Sequence, residues 1–266
     1  MDKRPIGVMD SGIGGLTVVK VLQKELPNES IVFVGDQARL PYGTRSTEEI
    51  QQFSLQIAHF LQTYDIKLMI IACNTATAAA LDYLRAQLPI PVIGVISPGS
   101  HAALKLEHHQ TIGVIGTNKT IESKAYSRQI NDLDSSVNVI GLATQEFVTL
   151  VEKNQMGTEH SQSVITQKMQ YFNQHRVDAL ILGCTHFPLL ANEIKRSLDY
   201  DIPMIDAGAA TAEYVKSKLI DLNAESDANT SKTVYFTTGN PNDFRAVASK
   251  WLENDMLDVS NIKLGD

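Results

Sequence analysis

Ala72-Cys73-Asn74-Thr75-Ala76 lies between a short apolar run, residues 68–71, and an alanine-rich stretch of helical character. Gly183-Cys184-Thr185-His186 stands in the same place after the apolar residues 179–182. These two segments hold the only two cysteines among 266 residues. At the offset of 111 residues that lays Cys73 on Cys184, Phe60 falls on Tyr171, Ile66 on Val177, Leu68 on Ala179 and Ile70 on Ile181. Further on, Ile90-Pro91 before Val92-Ile93 is answered, one residue out of step, by Ile202-Pro203 before Met204-Ile205. Upstream, Ile6-Gly7-Val8-Met9-Asp10-Ser11 resembles Ile112-Gly113-Val114-Ile115-Gly116-Thr117. Three correspondences in one order indicate a diverged duplication. The expectation is two similar α/β domains with mainly parallel sheets, related by pseudo-twofold symmetry, with an active site in the cleft between them and a thiol on either side.

Composition narrows the setting. The length suffices for two domains of about 100 to 150 residues, each with its own core. A net charge of −7 argues against a nucleic-acid backbone as the main partner, because such binding needs a basic face. No apolar run reaches the roughly 18 to 20 residues of a membrane helix. Met1-Asp2-Lys3-Arg4-Pro5 leads directly into a strand-like run and lacks the apolar core of a signal peptide. A cytoplasmic, reducing location follows, with the cysteines as thiols and not a disulfide. The expected partner is a small-molecule substrate, with no nucleic acid and no membrane. The oligomeric state is left open, a homodimer included.

Short β-rich runs alternate with longer amphipathic ones, the pattern of an α/β fold. Strands are expected at residues 6–9, 31–34, 68–71 and 92–95, then at 111–115, 137–142, 179–182 and 204–205. Ser46 and Glu49 form a capping box ahead of a helix. Ser97-Pro98-Gly99 marks a crossing between domains, and the strand at 234–237 with the helix at 242–253 is expected to rejoin the first. The predicted domains are residues 1–97 plus 210–266, supplying Cys73, and 98–209, supplying Cys184. Ligands of open α/β sheets bind beyond the carboxyl ends of strands. Asp10, Asp36, Cys73, Thr117 and Cys184 all fall at such ends and should line one cleft.

A thiol of pKa about 8.5 offers both thiol and thiolate near neutral pH, which suits acid/base work. Without a Cys-x-x-Cys or a further His pair, no metal site is expected. The glycines of Asp10 to Gly15 expose backbone N–H groups to an anion, yet fit neither the dinucleotide fingerprint nor the P-loop. A carboxylate is therefore a better ligand than a nucleotide. Ser11, Asn74, Thr75 and Thr185 add neutral donors, or serve as helix caps. His186, two residues after Cys184, is placed to manage a proton. Glu152 and Asp36 read by themselves as solvated acids. Two other readings use the same residues: a two-lobed amino-acid-binding protein, and a cysteine hydrolase needing one cysteine only.

Taken together, Asp10-Ser-Gly-Ile-Gly-Gly, Pro41-Tyr42-Gly43, Ala72-Cys73-Asn74-Thr75 and Gly183-Cys184-Thr185-His186 resemble the glutamate racemases of the aspartate/glutamate racemase superfamily. The motifs occur in that family's order and span most of the chain. The resemblance implies a cofactor-independent racemase that interconverts L- and D-glutamate and feeds D-glutamate into peptidoglycan. It implies that Cys73 exchanges the proton on the D-glutamate side and Cys184 the one on the L-glutamate side. Asp10 would assist Cys73, His186 would assist Cys184 with Glu152 behind it, and Asp36 is a further acidic site residue. Substrate contacts would come from Asp10, Ser11, Tyr42, Gly43, Asn74, Thr75, Thr117, Thr120, Thr185 and His186. With no Arg or Lys in the four motifs, the substrate carboxylates are expected to be held by amides and hydroxyls.

Overall fold

The computed structural model describes residues 1–265. Strand and helix alternate as the patterning predicts: β1 (Ile6–Asp10), α1 (Leu16–Glu25), β2 (Ile31–Gly35), α2 (Thr47–Gln62), β3 (Leu68–Ile71), α3 (Asn74–Gln87), β4 (Val92–Gly94) and α4 (Ile96–Leu104). There follow β5 (Thr111–Gly116), α5 (Asn118–Glu122), α6 (Ala125–Leu133), β6 (Asn138–Ala143), α7 (Gln145–Glu152), α8 (Glu159–Gln174), β7 (Ala179–Gly183), α9 (Ala191–Arg196) and β8 (Met204–Asp206). The chain closes with α10 (Ala207–Asp221), β9 (Thr233–Thr237), α11 (Pro241–Leu252) and β10 (Val259–Asn261). Contacts divide it into two compact units, Met1–Val95 with Gly208–Asp266, and Ile96–Ala207.

The first unit is built on a six-stranded parallel sheet in the order β10-β9-β2-β1-β3-β4. Both faces of its centre are covered, so β1, β2 and β3 are apolar but for glycines and Asp10, and alternate residues serve different layers. Ile6, Val8, Ile31, Phe33, Leu68 and Ile70 belong to the core packed by α1, α10 and α11. Met9, Val32, Val34, Met69 and Ile71 belong to the core packed by α2 and α3. Each such side chain contributes roughly 1.5 to 3 kcal/mol on burial, which fixes the register of every strand. The capping box forms: the Ser46 hydroxyl accepts the Glu49 N–H at 3.1 Å, and Glu49 accepts the Ser46 N–H at 2.9 Å.

The second unit carries a four-stranded parallel sheet in the order β6-β5-β7-β8. This repeats the β2-β1-β3-β4 segment of the first sheet, and the registers repeat too. Ile6 pairs with Leu68 where Ile112 pairs with Ala179, and Met69 pairs with Val92 where Leu180 pairs with Met204. These are the residues that the internal alignment equates, so the duplication extends to individual pairings.

In both sheets the chain runs outward from one central strand, then returns to start its other side. The switch points lie between β1 and β3, and between β5 and β7. Crevices for ligands open at such points. Asp10 and Cys73 flank the first, Thr117 and Cys184 the second.

Three elements differ from expectation or were not anticipated. Ser97-Pro98-Gly99, just after the division between the units at Val95 and Ile96, lies in the first turn of a helix that was not anticipated, α4. Pro98 sits where the helix leaves N–H groups unpaired anyway, so its ring does no harm. The three-residue β10 is too short to carry a pattern of its own. After Cys184 the chain forms a 3₁₀ turn, Phe187–Leu190, before α9.

Candidate active site

At the first switch point, Asp10 is fully buried, and its Oδ2 accepts the Gly12 N–H at 3.0 Å. Only glycine fits at position 15, where a Cβ would stand 2.6 Å from that of Asp10. The backbone of Ala72 donates to Met9 O at 2.9 Å, carrying β3 one residue past its strand and setting Cys73 beside β1. Cys73 caps α3: its sulfur accepts the Ala76 N–H at 3.4 Å. The same thiol donates to Ser11 Oγ at 3.5 Å, joining the glycine-rich turn to the cysteine. The first turn of a helix favours negative charge at its N-terminal end. Asn74 and Thr75, the first two residues of α3, are buried with it.

The loop after β2 completes this half. Asp36 is fully buried; it accepts the Tyr42 hydroxyl proton and also hydrogen-bonds Arg39 Nε at 2.6 Å and the Thr238 hydroxyl at 2.8 Å. Burial, and then the Asp36 carboxylate, hold the Tyr42 phenol well above its ordinary pKa, so it stays protonated. Tyr42 and Gly43 open a 3₁₀ turn, Tyr42–Thr44, and both are buried.

In the second unit, Thr117 caps α5, accepting the Thr120 N–H at 3.2 Å, and the two hydroxyls lie 3.0 Å apart. Cys184 follows β7 with 7% of its surface exposed, beside buried Thr185. A Cβ on Gly183 would lie 2.6 Å from Ile115 O, so glycine lets β7 close on β5 at this point. Unlike Cys73, Cys184 caps no α-helix; His186 precedes the 3₁₀ turn instead. The two cysteines therefore share a strand end but differ in what faces the sulfur.

What faces Cys184 is His186. Its Nδ1 lies 3.6 Å from the sulfur and its Nε2 2.5 Å from Glu152 Oε1, at the end of α7. Burial alone would lower the imidazole pKa, but the hydrogen bonds with Cys184 and Glu152 outweigh it and raise it from 6.5 to about 10. An imidazolium donates from both nitrogens, so it serves the carboxylate and the sulfur at once.

Of the residues singled out in the sequence, Asp10, Ser11, Asp36, Tyr42, Gly43, Cys73, Asn74 and Thr75 gather in the first unit. Thr117, Thr120, Glu152, Cys184, Thr185 and His186 belong to the second. Sequence reasoning missed three neighbours. Arg39 and Thr238 bind Asp36. Tyr126, buried on α6 with its ring against Gly183, has its phenol pKa driven up by burial and then by Asp206 and Cys184. Its spacing with Ile130 reads as ordinary helix core. Among the described residues no group of three or more His, Cys, Asp or Glu side chains is placed to hold a metal ion. No helix among them is long and apolar enough to cross a membrane.

The sequence model of the Asp/Glu/Hydantoin racemase family matches residues 6–215. A glutamate racemase of Limosilactobacillus reuteri is 47% identical over 266 residues, covering 100% of this chain and 99% of that protein. Among solved structures, a glutamate racemase isoform from Bacillus anthracis superposes with a TM-score of 0.96 at 39% identity, covering 99% of both chains. A glutamate racemase from Francisella tularensis, in complex with D-glutamate, gives 0.92 at 37% identity, again over 99% of each.

Proposed function

We infer that this chain, which belongs to the Asp/Glu/Hydantoin racemase family, interconverts L- and D-glutamate without a cofactor, with Cys73 and Cys184 as the acid/base pair. Inverting an α-carbon requires a base to take its proton from one face and an acid to return one to the other. Two thiols, one carried by each unit, supply both, provided one begins as thiolate and the other as thiol. Cys73 exchanges the proton on the D-glutamate side and Cys184 the one on the L-glutamate side. The roles reverse with the hand of the substrate, so each thiol needs its own proton partner.

Asp10 is the partner for Cys73 and His186 for Cys184. Glu152 holds the imidazole, which then presents a donor to the sulfur whenever charge builds there during turnover. Ser11, Tyr42, Gly43, Asn74, Thr75, Thr117, Thr120 and Thr185 bind the ammonium and the two carboxylates through neutral donors and acceptors. Acid–base catalysis commonly contributes about 10² to 10⁴-fold, so orientation of the α-carbon and stabilisation of the carbanionic transition state must supply the rest. The physiological role is provision of D-glutamate for peptidoglycan from the cytoplasm.

The observation that carries this reading is the placement of a buried cysteine beyond equivalent strands of two duplicated sheets, one of them backed by a His–Glu pair. A binding protein has no use for that repetition, and a hydrolase needs only one cysteine. Chiral chromatography of L-glutamate incubated with purified wild type, Cys73→Ala and Cys184→Ala tests it. Wild type should produce D-glutamate and each variant should lose essentially all racemisation. Racemisation surviving either substitution would remove the paired-thiol account.

A further inference from the structure

A carboxylate has about four acceptor sites, and in Asp36 three are filled from within the protein: by Tyr42, Arg39 and Thr238. Asp36 is thus better placed to anchor than to take a proton from substrate. The Thr238 hydroxyl pins both ends of the turn, donating to Asp36 Oδ1 at 2.8 Å and accepting the Ala38 N–H at 3.0 Å. Beside it, Thr237 donates to Gln37 Oε1 at 2.8 Å, and the Thr238 N–H bonds Gly35 O at 3.2 Å. Thr238 reaches this loop because β9 pairs with β2, 202 residues from Asp36 along the chain and beyond the segment that the family model matches. Arg39, stacked 4.2 Å over Phe53, keeps its Nη2 buried without a hydrogen-bond partner among the described residues. Its Nη1 donates to Gln56 Oε1 at 2.5 Å, so the guanidinium that binds Asp36 is itself held in place.

We propose that Thr238 is a positioning residue for racemisation: with Arg39 it orients the Asp36 carboxylate, which fixes the Tyr42 hydroxyl and with it the Tyr42–Gly43 wall of the substrate site. This inference rests on the glutamate racemase reading above. Tyr42 and Gly43 are proposed to hold substrate and not to move its α-proton. Loss of the anchor should therefore weaken binding of ground state and transition state alike.

The test is steady-state racemisation by Thr238→Val, Thr238→Ser, Tyr42→Phe and the Thr238→Val/Tyr42→Phe pair. Valine should raise KM for L-glutamate about tenfold with kcat within about threefold, the scale of a displaced charge-assisted hydrogen bond. Serine, which keeps the hydroxyl, should restore KM. In the Tyr42→Phe background the valine effect should largely vanish, since the group being positioned is gone. An unmoved KM, or an effect of equal size with and without the Tyr42 hydroxyl, overturns the proposal. Should valine prevent folding, Arg39→Lys is compared with Tyr42→Phe in the same cycle, and additivity there overturns it equally. Wild type run alongside separates the two readings: no turnover of L-glutamate removes both, whereas normal turnover with additive variants removes only the role of Thr238.

Discussion

His186 links the geometry of the candidate site to a measurable pH dependence. Its pKa is raised on folding from 6.5 to about 10, so between those values the folded chain holds a proton that the unfolded chain has released. The stability it confers is complete below 6.5 and is lost as pH rises through about 10. His186→Asn should thus flatten the decline of melting temperature with pH across that window, and parallel curves for wild type and variant would contradict the assigned protonation. The sequence made His186 conspicuous because it stands two residues from a cysteine. Glu152 was not legible in that way, since nothing within its own helix separates it from a solvated acid and its partner lies 34 residues on. Thr238 was invisible for the same reason in stronger form: a hydroxyl 202 residues away acquires meaning only when β9 is laid beside β2.

Elements were most legible where burial is greatest. A strand covered on both faces must be apolar along most of its length, and β1, β2, β3, β5 and β7 all announce themselves by that rule. Legibility failed where local rules permit two outcomes. Pro98 and Gly99 read as a crossing between domains and gave no sign of the helix they help to begin, because a proline is harmless in a first turn. The run after Cys184 reads as another helix start, yet folds as a 3₁₀ turn, leaving Cys184 to His186 and not to helix N–H groups. The close approach of β7 to β5 gives a direct test of how the strand end sets the cysteine. Gly183→Ala would place a methyl 2.6 Å from Ile115 O, a backbone atom with little room to yield. Destabilisation of about 1 to 3 kcal/mol is expected, read as a lower melting temperature, with a fall in racemisation because Cys184 is the next residue. A melt and activity indistinguishable from wild type would show that the strand end is looser than its packing implies.

For the whole molecule, the duplication was the strongest signal in the sequence, and it survives in sheet order and in residue pairings. Duplication gives each unit a switch point with a cysteine at it, while the later divergence shows in the cysteines' partners: Ser11 and a helix N-terminus for Cys73, His186 and Glu152 for Cys184. That asymmetry suits a reaction whose two faces present the same carbon in mirror-related surroundings. The central claim, that separate bases serve opposite faces, is tested most directly by incubating L-glutamate with the purified protein in D₂O and analysing each enantiomer by mass early in the reaction. The account predicts D-glutamate one deuterium heavier and recovered L-glutamate largely unlabelled, because the thiol that removes a proton is not the one that delivers its replacement. Deuterium appearing equally in recovered L-glutamate would indicate a single base serving both faces, and an absence of D-glutamate would contradict the account altogether.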